Sequence, residues 1–157
     1  MKHTTADFEG MRKAGHLAAS TLDKLVDKVK PGVSTAELDD FAFDFIDKQG
    51  GLIAPLFYKG YPKSICTSIN HVICHGIPSN RVLENGDILN IDVTVIIDGW
   101  HGDTSRMFPV GKINAKAQKL IDCTFNAMHE GINAATPNAC LGDIGFAIQT
   151  YAENQNY

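Results

Sequence analysis

The fold is decided by the stretch Asp87-Ile-Leu-Asn-Ile-Asp92-Val-Thr-Val-Ile-Ile-Asp98-Gly99-Trp-His-Gly-Asp103-Thr-Ser-Arg-Met-Phe108. Asp98-Gly99 between two runs of strand-forming residues predicts a hairpin with a two-residue turn. In that register Thr94 lies opposite Asp103 and Asp92 lies opposite Ser105, so the two aspartates become diagonal neighbours on one face, roughly 7–8 Å apart. Two carboxylates this close repel unless a proton or a cation lies between them. The hairpin therefore predicts a divalent metal ion.

The two faces of this hairpin differ in composition. One face of the first strand is aliphatic: Leu89, Ile91, Val93, Val95 and Ile97. The other face, completed by the second strand, is polar: Asn90, Asp92, Thr94, His101, Asp103 and Ser105. A one-sided hairpin with a solvated polar face would have the same pattern. The absence of lysine and glutamate from the polar face favours a lined cavity.

Composition sets the class of protein. The chain of 157 residues is 44% hydrophobic, which is typical of one globular domain. A net charge of −4 gives no basic surface for nucleic acid. No apolar run is long enough to cross a bilayer, and the start of the chain does not resemble a signal peptide. Four cysteines without CxxC spacing predict reduced thiols rather than a zinc knuckle or a redox pair. We therefore expect a cytoplasmic protein with no membrane partner.

Four helices flank the hairpin in the predicted order helix, helix, strands, helix, helix. Apolar residues at helical spacing predict the first helix over Phe8–Lys30. Ser34-Thr35-Ala36-Glu37 is a capping box that predicts the start of the second, which Gly50-Gly51 ends. Residues 52–86 are interpreted as short strands and ordered loops, a third helix is predicted at about 115–135, and a fourth begins near Leu141.

The second helix pair repeats the pattern of the first. A shift of 106 positions places Pro31 on Pro137 and Leu38 on Ile144. This predicts an internal duplication, with repeat one at about 8–114 and a truncated repeat two at about 115–157. In the first repeat the helix pair is followed by the strands that carry the candidate chemistry, so half of a two-fold sheet is expected to be missing from these residues.

The number of metal ligands leads to the same expectation. Two aspartates are too few for a tight divalent site, because zinc takes about four ligands and manganese or cobalt about five or six. His71, His75 and His101 could add ligands, but His71 and His101 are interpreted as ordinary surface or satisfied core residues. His75 lies between a cysteine and a Gly-Ile-Pro sequence that fixes a tight loop, so its imidazole is expected to point outward. We expect the remaining ligands on a second set of strands.

Three motifs resemble type I methionine aminopeptidases of the bacterial kind. They are Tyr61-Pro-Lys-Ser-Ile-Cys66-Thr-Ser-Ile-Asn70-His-Val-Ile-Cys74-His75-Gly-Ile-Pro78, Gly86-Asp87-Ile-Leu-Asn-Ile-Asp92 and His101-Gly-Asp103-Thr-Ser-Arg-Met-Phe108. The resemblance runs from about Phe8 to the last residue and implies the α+β pita-bread fold of creatinases and methionine aminopeptidases. Residues 1–157 would form a single incomplete domain of that fold, its first pseudo-symmetric half plus the helix pair of the second.

The resemblance also implies roles for individual residues. Asp92 would chelate one of two divalent ions (Co, Mn, Fe or Zn), and Asp103 would bridge both. His75 would be catalytic and contact the substrate near the scissile amide, and Thr94 would lie beside the substrate's free amine. Residues that would line the methionine pocket are Tyr58, Tyr61 and Cys66, while Pro55 stands where the family often has cysteine. Asn70 and the backbone of Val72 resemble a monovalent-cation site.

The activity implied is removal of the initiator methionine from nascent polypeptide N-termini, by attack of metal-activated water. The family's remaining ligands, one histidine and two glutamates that include the base, lie beyond residue 157, so the 157-residue chain alone is expected to be inactive. The complete enzyme is expected to be a monomer, whereas the fragment would associate with itself through its open sheet. Three readings stay open: an incomplete aminopeptidase sequence, a half-protein that needs a partner half, and a non-catalytic pita-bread binding module.

Overall fold

A computed structural model describes residues 3–157. The chain divides into two compact units, one up to Ile113 and one from Asn114 to Tyr157. Strands and two helices make the first unit, and a helix pair makes the second. The mixed α and β composition agrees with the predicted class, and the internal duplication stays a prediction.

The first unit is built around one long central strand. β3 (Ile88–Ile97) pairs antiparallel with β4 (Trp100–Pro109) along its whole length on one side. On its other side it pairs with two short strands, β1 (Leu52–Ile53) and β2 (Cys66–Ile69). Among the described residues the outer edge of β4 pairs with no strand, so the predicted self-association through an open sheet has a place on the fold and stays a prediction.

The predicted hairpin register is confirmed. Asp92 lies opposite Ser105, and Thr94 lies opposite Asp103, on either side of the two-residue turn. Asp98 and Gly99 both have positive φ, 50° and 82°, as a tight hairpin turn requires. The aliphatic face is buried, with Leu89, Ile91, Val93 and Val95 at 0% exposure. The hydrophobic effect therefore fixes the register, since a slip of one residue would bring aspartate into this core.

Two capped helices cover the aliphatic face. α1 (Thr5–Leu25) begins with a capping box between Thr4 and Asp7, and α2 (Thr35–Lys48) begins with the predicted box between Ser34 and Glu37. The predicted end of the first helix at Lys30 is wrong, because Leu25 is its last residue. Beyond it the chain turns, and the Leu25 carbonyl accepts hydrogen bonds from both Lys28 and Val29. The sequence predicted a longer helix because the apolar pattern continues through this turn, where Val29 still packs on the core.

Helix α1 lies directly on β4. Gly102 is buried, and a Cβ atom there would overlap the carbonyl group of Ala14 and the backbone nitrogen of Gly15. Nearby, the indole of Trp100 covers Gly10 so closely that no side chain fits there. These glycines let helix and strand approach at backbone distance, which holds the hairpin against the core from the side away from its polar face.

The second unit is a helix pair. α3 (Ala115–Ala134) starts at the N-cap Asn114, whose side chain accepts a hydrogen bond from the Ala117 backbone N–H, and α4 spans Leu141–Asn154. The helices meet at Gly131, where a side chain would overlap Ile148. Both helices agree with their predicted positions. Over residues 3–157, no helix is both long and apolar enough to cross a membrane.

Candidate functional site

The polar face of the hairpin forms one side of a cleft of about 890 Å³. β3 and β4 contribute Asp92, Thr94, His101 and Asp103. The opposite walls come from the segment between β1 and β2, the first residue of β2 and the loop after β2. They are formed by Ala54, Pro55, Tyr58, Lys59, Gly60, Tyr61, Pro62, Cys66, His75 and Ile77. Backbone pairing fixes this arrangement, because Cys66 is the partner of Asp92 in the ladder and the Ala54 N–H donates to the Thr94 carbonyl at 3.1 Å.

Asp92 and Asp103 face each other inside this cleft. Burial raises the pKa of the Asp92 carboxyl, and the charge of the neighbouring Asp103 carboxylate, with a proton shared between the two groups, raises it further. The imidazole of His75 opposes this rise in the pKa. Asp92 is half-buried, while Asp103 is exposed to the cleft. The pair thus carries an unfavourable repulsion that a cation between the oxygens would relieve.

The donor set suits a divalent ion but supplies only part of its coordination shell. Carboxylate oxygens are hard ligands that manganese, iron, cobalt and zinc all accept. Burial raises the pKa of the Cys66 thiol, and the aspartates beside it raise it further, so the thiol stays protonated in the metal-free cleft. No group of three or more histidine, cysteine, aspartate or glutamate side chains that could hold a metal occurs among residues 3–157.

Without metal, Asp103→Asn is expected to stabilise the protein at neutral pH. Because the folded-state pKa of Asp92 is raised, its ionisation opposes folding, and stability is lost as pH rises through the unfolded and then the folded pKa. Removing the facing charge should recover on the order of 0.5 kcal/mol. The check is urea unfolding in EDTA at pH 7 and pH 3, where the gain should vanish at pH 3. Asp98→Asn is the control, because the Asp98 carboxylate pairs with Lys13 at 2.7 Å and does not face another acid. It should give no gain in stability, and an equal gain there would contradict the repulsion between Asp92 and Asp103.

The residues predicted to line a methionine pocket all border this cleft. Tyr58, at a short 3-10 turn (Tyr58–Gly60), is 66% exposed, whereas Tyr61 is partly buried and Cys66 is buried. Thr94 lies in the same row of β3 as Asp92, two residues further on. Pro55, which stands where the methionine aminopeptidases often have cysteine, also borders the cleft. The structure brings these side chains together, and their roles toward a substrate stay predictions.

His75 reaches the cleft from the loop after β2. It has positive φ, 55°, a conformation that residues other than glycine rarely adopt. It is exposed, as the tight loop around it predicted. The imidazole lies close enough to act on the aspartate pair, because it lowers the pKa of the Asp92 carboxyl.

Asn70 and Val72 lie apart from the cleft, beside a second cavity of about 260 Å³. The Asn70 side chain is occupied, since it donates to Asp87 at 2.8 Å and accepts from the Ile88 N–H at 3.0 Å. The buried hydroxyl of Thr67, which borders the same cavity, has no hydrogen-bond partner among the described residues. A polar occupant of this cavity would satisfy that hydroxyl.

Sequence reasoning missed part of this cleft. His101 is exposed and borders the cleft two positions before Asp103, on the polar face where the alternation of the strand placed it. The pattern assigned this histidine a place on that face but no role. Lys59 and Ile77 carried no signal, since their positions depend on loops whose course no periodicity predicts. His71, in contrast, is exposed and lies outside the cleft.

Comparison with known proteins gives a consistent picture. The family model for metallopeptidase family M24 matches residues 9–157. The chain is 59% identical over 155 residues to a methionine aminopeptidase of Rickettsia prowazekii, covering 99% of this chain and 60% of that protein. It is 53% identical to methionine aminopeptidase A of Synechocystis, covering 96% of this chain and again 60% of the relative. The chain therefore spans about 60% of the length of the curated relatives that it matches.

Solved structures give the fold. The crystal structure of methionine aminopeptidase from Rickettsia prowazekii matches with a TM-score of 0.99 at 58% identity, over 100% of this chain and 63% of that one. That from Thermotoga maritima matches with a TM-score of 0.94 at 27% identity, over 97% of this chain and 61% of that one. A Xaa-Pro dipeptidase of Bacillus anthracis shares the fold, with a TM-score of 0.83 at 20% identity over 98% of this chain and 42% of that one. The fold is the pita-bread fold that the motifs predicted.

Proposed function

Because this chain belongs to metallopeptidase family M24, we propose that it provides one wall of a metal-dependent aminopeptidase that removes the initiator methionine from nascent polypeptides. The observation that carries the proposal is the cleft itself. Two facing carboxylates, two histidines and a pocket with aromatic and aliphatic walls border one space. The methionine aminopeptidases that the chain resembles support the choice of substrate.

Each residue of the cleft has a part in this proposal. Asp92 and Asp103 would hold two divalent ions (Co, Mn, Fe or Zn), with Asp103 serving both. Divalent ions, when bound, supply the Lewis acidity and the activated water that peptide hydrolysis at neutral pH requires. The Thr94 hydroxyl orients the free amine of the substrate. The imidazole N–H of His75 donates to the amide that is cleaved, and holds the departing amine.

The walls of the cleft select methionine. Tyr58, Tyr61 and Ile77 present apolar surface to an unbranched side chain, and the neutral thiol of Cys66 adds a soft, polarisable contact. Asn70 and the backbone of Val72 would hold a monovalent cation at the second cavity, and the unpartnered Thr67 hydroxyl supports a polar occupant there. New polypeptides emerge in the cytoplasm, which is where we place the activity.

The remaining metal ligands and the base come from residues outside 3–157 or from a second polypeptide. This part of the proposal rests on the count of ligands, since the described residues provide no group of three. A half-protein that pairs with its other half has the same requirement, so both arrangements lead to one experiment.

The experiment joins this chain to the part of the Rickettsia prowazekii relative that the chain does not span. We expect the fusion, loaded with Mn²⁺ or Co²⁺, to release methionine from a Met-Ala-Ser peptide and to leave Leu-Ala-Ser intact. The 157-residue chain alone should release none with either metal. Amino-acid analysis of the supernatant measures both.

Asp103→Ala in the fusion is the matched control, and it should abolish release. A folded, metal-loaded fusion that releases no methionine would reject the proposed activity. Release by the 157-residue chain alone, lost on Asp103→Ala, would instead overturn the claim that further ligands are needed.

A further inference from the structure

The loop that carries His75 contains no regular secondary structure, although the proposed function needs the imidazole in one place. Its backbone is held at the next residue. The Gly76 N–H donates to the Ser68 hydroxyl at 3.1 Å, and the Gly76 carbonyl accepts from the Thr67 N–H at 2.8 Å. Gly76 also lies so close to the Thr67 carbonyl that a Cβ atom would overlap it.

A third contact to Gly76 comes from the segment between β1 and β2. The hydroxyl of Tyr61 lies 3.1 Å from the Gly76 carbonyl oxygen and 3.0 Å from the Ile65 carbonyl oxygen. Burial, together with the Cys66 thiol beside it, raises the pKa of Tyr61 far above its ordinary value, so the hydroxyl keeps its proton. Tyr61 therefore links two backbone segments, while its ring borders the cleft.

The backbone of Ser64 and Ile65, at the other end of this link, is held by a buried carboxylate of α2. Asp39 of α2 is 3% exposed. Its Oδ1 atom accepts from the Ser64 N–H at 2.8 Å and from the Ile65 N–H at 3.1 Å. Lys63 approaches Oδ2 at 3.4 Å and balances the charge. A buried carboxylate held by two N–H groups and a cation is a rigid anchor.

These contacts form a continuous chain from the core helix to the loop. It runs from Asp39 through the backbone of Ser64 and Ile65 to the Tyr61 hydroxyl, and from there to Gly76. We propose that Asp39 and Tyr61 are positioning residues that hold His75 at the cleft, an inference that rests on the proposed function of His75. Neither residue needs to touch the substrate for this purpose.

The test uses nuclear magnetic resonance on the full metal-free chain, so it needs no turnover. Tyr61→Phe removes only the hydroxyl. The loop would then open more readily, by the scale of the one hydrogen bond lost at the Gly76 carbonyl. We therefore expect hydrogen exchange of the Gly76 amide to rise about tenfold and the His75 ring resonances to report greater motion. Amides of the β3–β4 ladder should keep their exchange rates. Tyr58→Phe is the matched control, because the Tyr58 hydroxyl has no hydrogen-bond partner in the described structure, and it should change neither quantity.

A second pair of variants tests the anchor. Asp39→Asn keeps an oxygen that can accept from Ser64 and Ile65, so it should retain most of the His75 order, whereas Asp39→Ala should lose it. If Asp39→Ala does not fold, Tyr61→Phe still decides. Unchanged Gly76 exchange and His75 motion in Tyr61→Phe, or equal acceleration of all sheet amides, would overturn the proposal. Failure of the fusion to release methionine would reject the proposed activity while leaving this result intact.

Discussion

Gly102→Ala is expected to destabilise the first unit by about 3 kcal/mol, the upper end of the range for overpacked sites. The new methyl group would overlap backbone atoms of Ala14 and Gly15, and backbone cannot move aside as a flexible side chain can. Relief requires α1 to move away from β4, which would open the core along the aliphatic face of the sheet. Since domains of this size are stable by about 5–15 kcal/mol, the loss is a large fraction of the total.

Trp100 provides the measurement. It is the single tryptophan of the chain and covers Gly10 of α1, so its fluorescence reports on this helix–strand contact. Thermal unfolding followed at this residue should shift down by roughly 10 °C. Gly15→Ala is the matched control on the same helix. No atom lies within 4 Å of its Cβ position, so it should stabilise by about 0.5–1 kcal/mol through helix propensity. Equal melting of Gly102→Ala and the unchanged protein would show that α1 is not packed as described.

Asp103→Asn is expected to weaken metal binding more than Asp92→Asn does. In the proposed site Asp103 would serve both ions, while Asp92 would serve one. Mutation of groups that merely support metal ligands costs roughly 10–100-fold in affinity, so loss of a shared ligand should exceed that range for both ions. For Asp92→Asn we expect one ion to bind nearly as before.

Calorimetric titration of Mn²⁺ into the fusion protein and its two variants checks this order. The two substitutions are matched in charge and shape, and their sites lie on the same hairpin. Ser105→Ala, opposite Asp92 in the ladder, is a control that should leave affinity unchanged. Equal losses for both aspartate variants at both ions would reject the shared role of Asp103.

The hairpin could be predicted from sequence because its information is local. Asp98-Gly99 determines the turn, and the alternation of aliphatic and polar residues determines which face is buried. The N-terminal cap of α2 could be predicted for the same reason, since Ser34 and Glu37 satisfy backbone groups of a single turn. The end of α1 could not be predicted from sequence, because Val29 packs on the core from a turn and so continues the apolar spacing of the helix.

The walls of the cleft depend on contacts between distant segments. The course of residues 54–77 follows from pairing with β3 and from a carboxylate on α2, and neither leaves a periodic signal. Asp39 illustrates this, because a single acid in a helix gives no indication that it accepts two N–H groups from a segment 25 residues away. The motifs therefore indicated residues that border the cleft, while their arrangement required the structure.

Both carboxylates lie in one hairpin whose strands are joined by two residues, and this has a consequence for the order of folding. Hairpins form within about 1–10 μs, before distant segments meet. Asp92 and Asp103 can therefore come together before α1 docks and before the walls of the cleft exist. A cation captured at that stage would favour the native register over one slipped by a residue, because a slip turns one strand's carboxylate to the opposite face. The ion would then act as a template for the sheet before it serves as a cofactor.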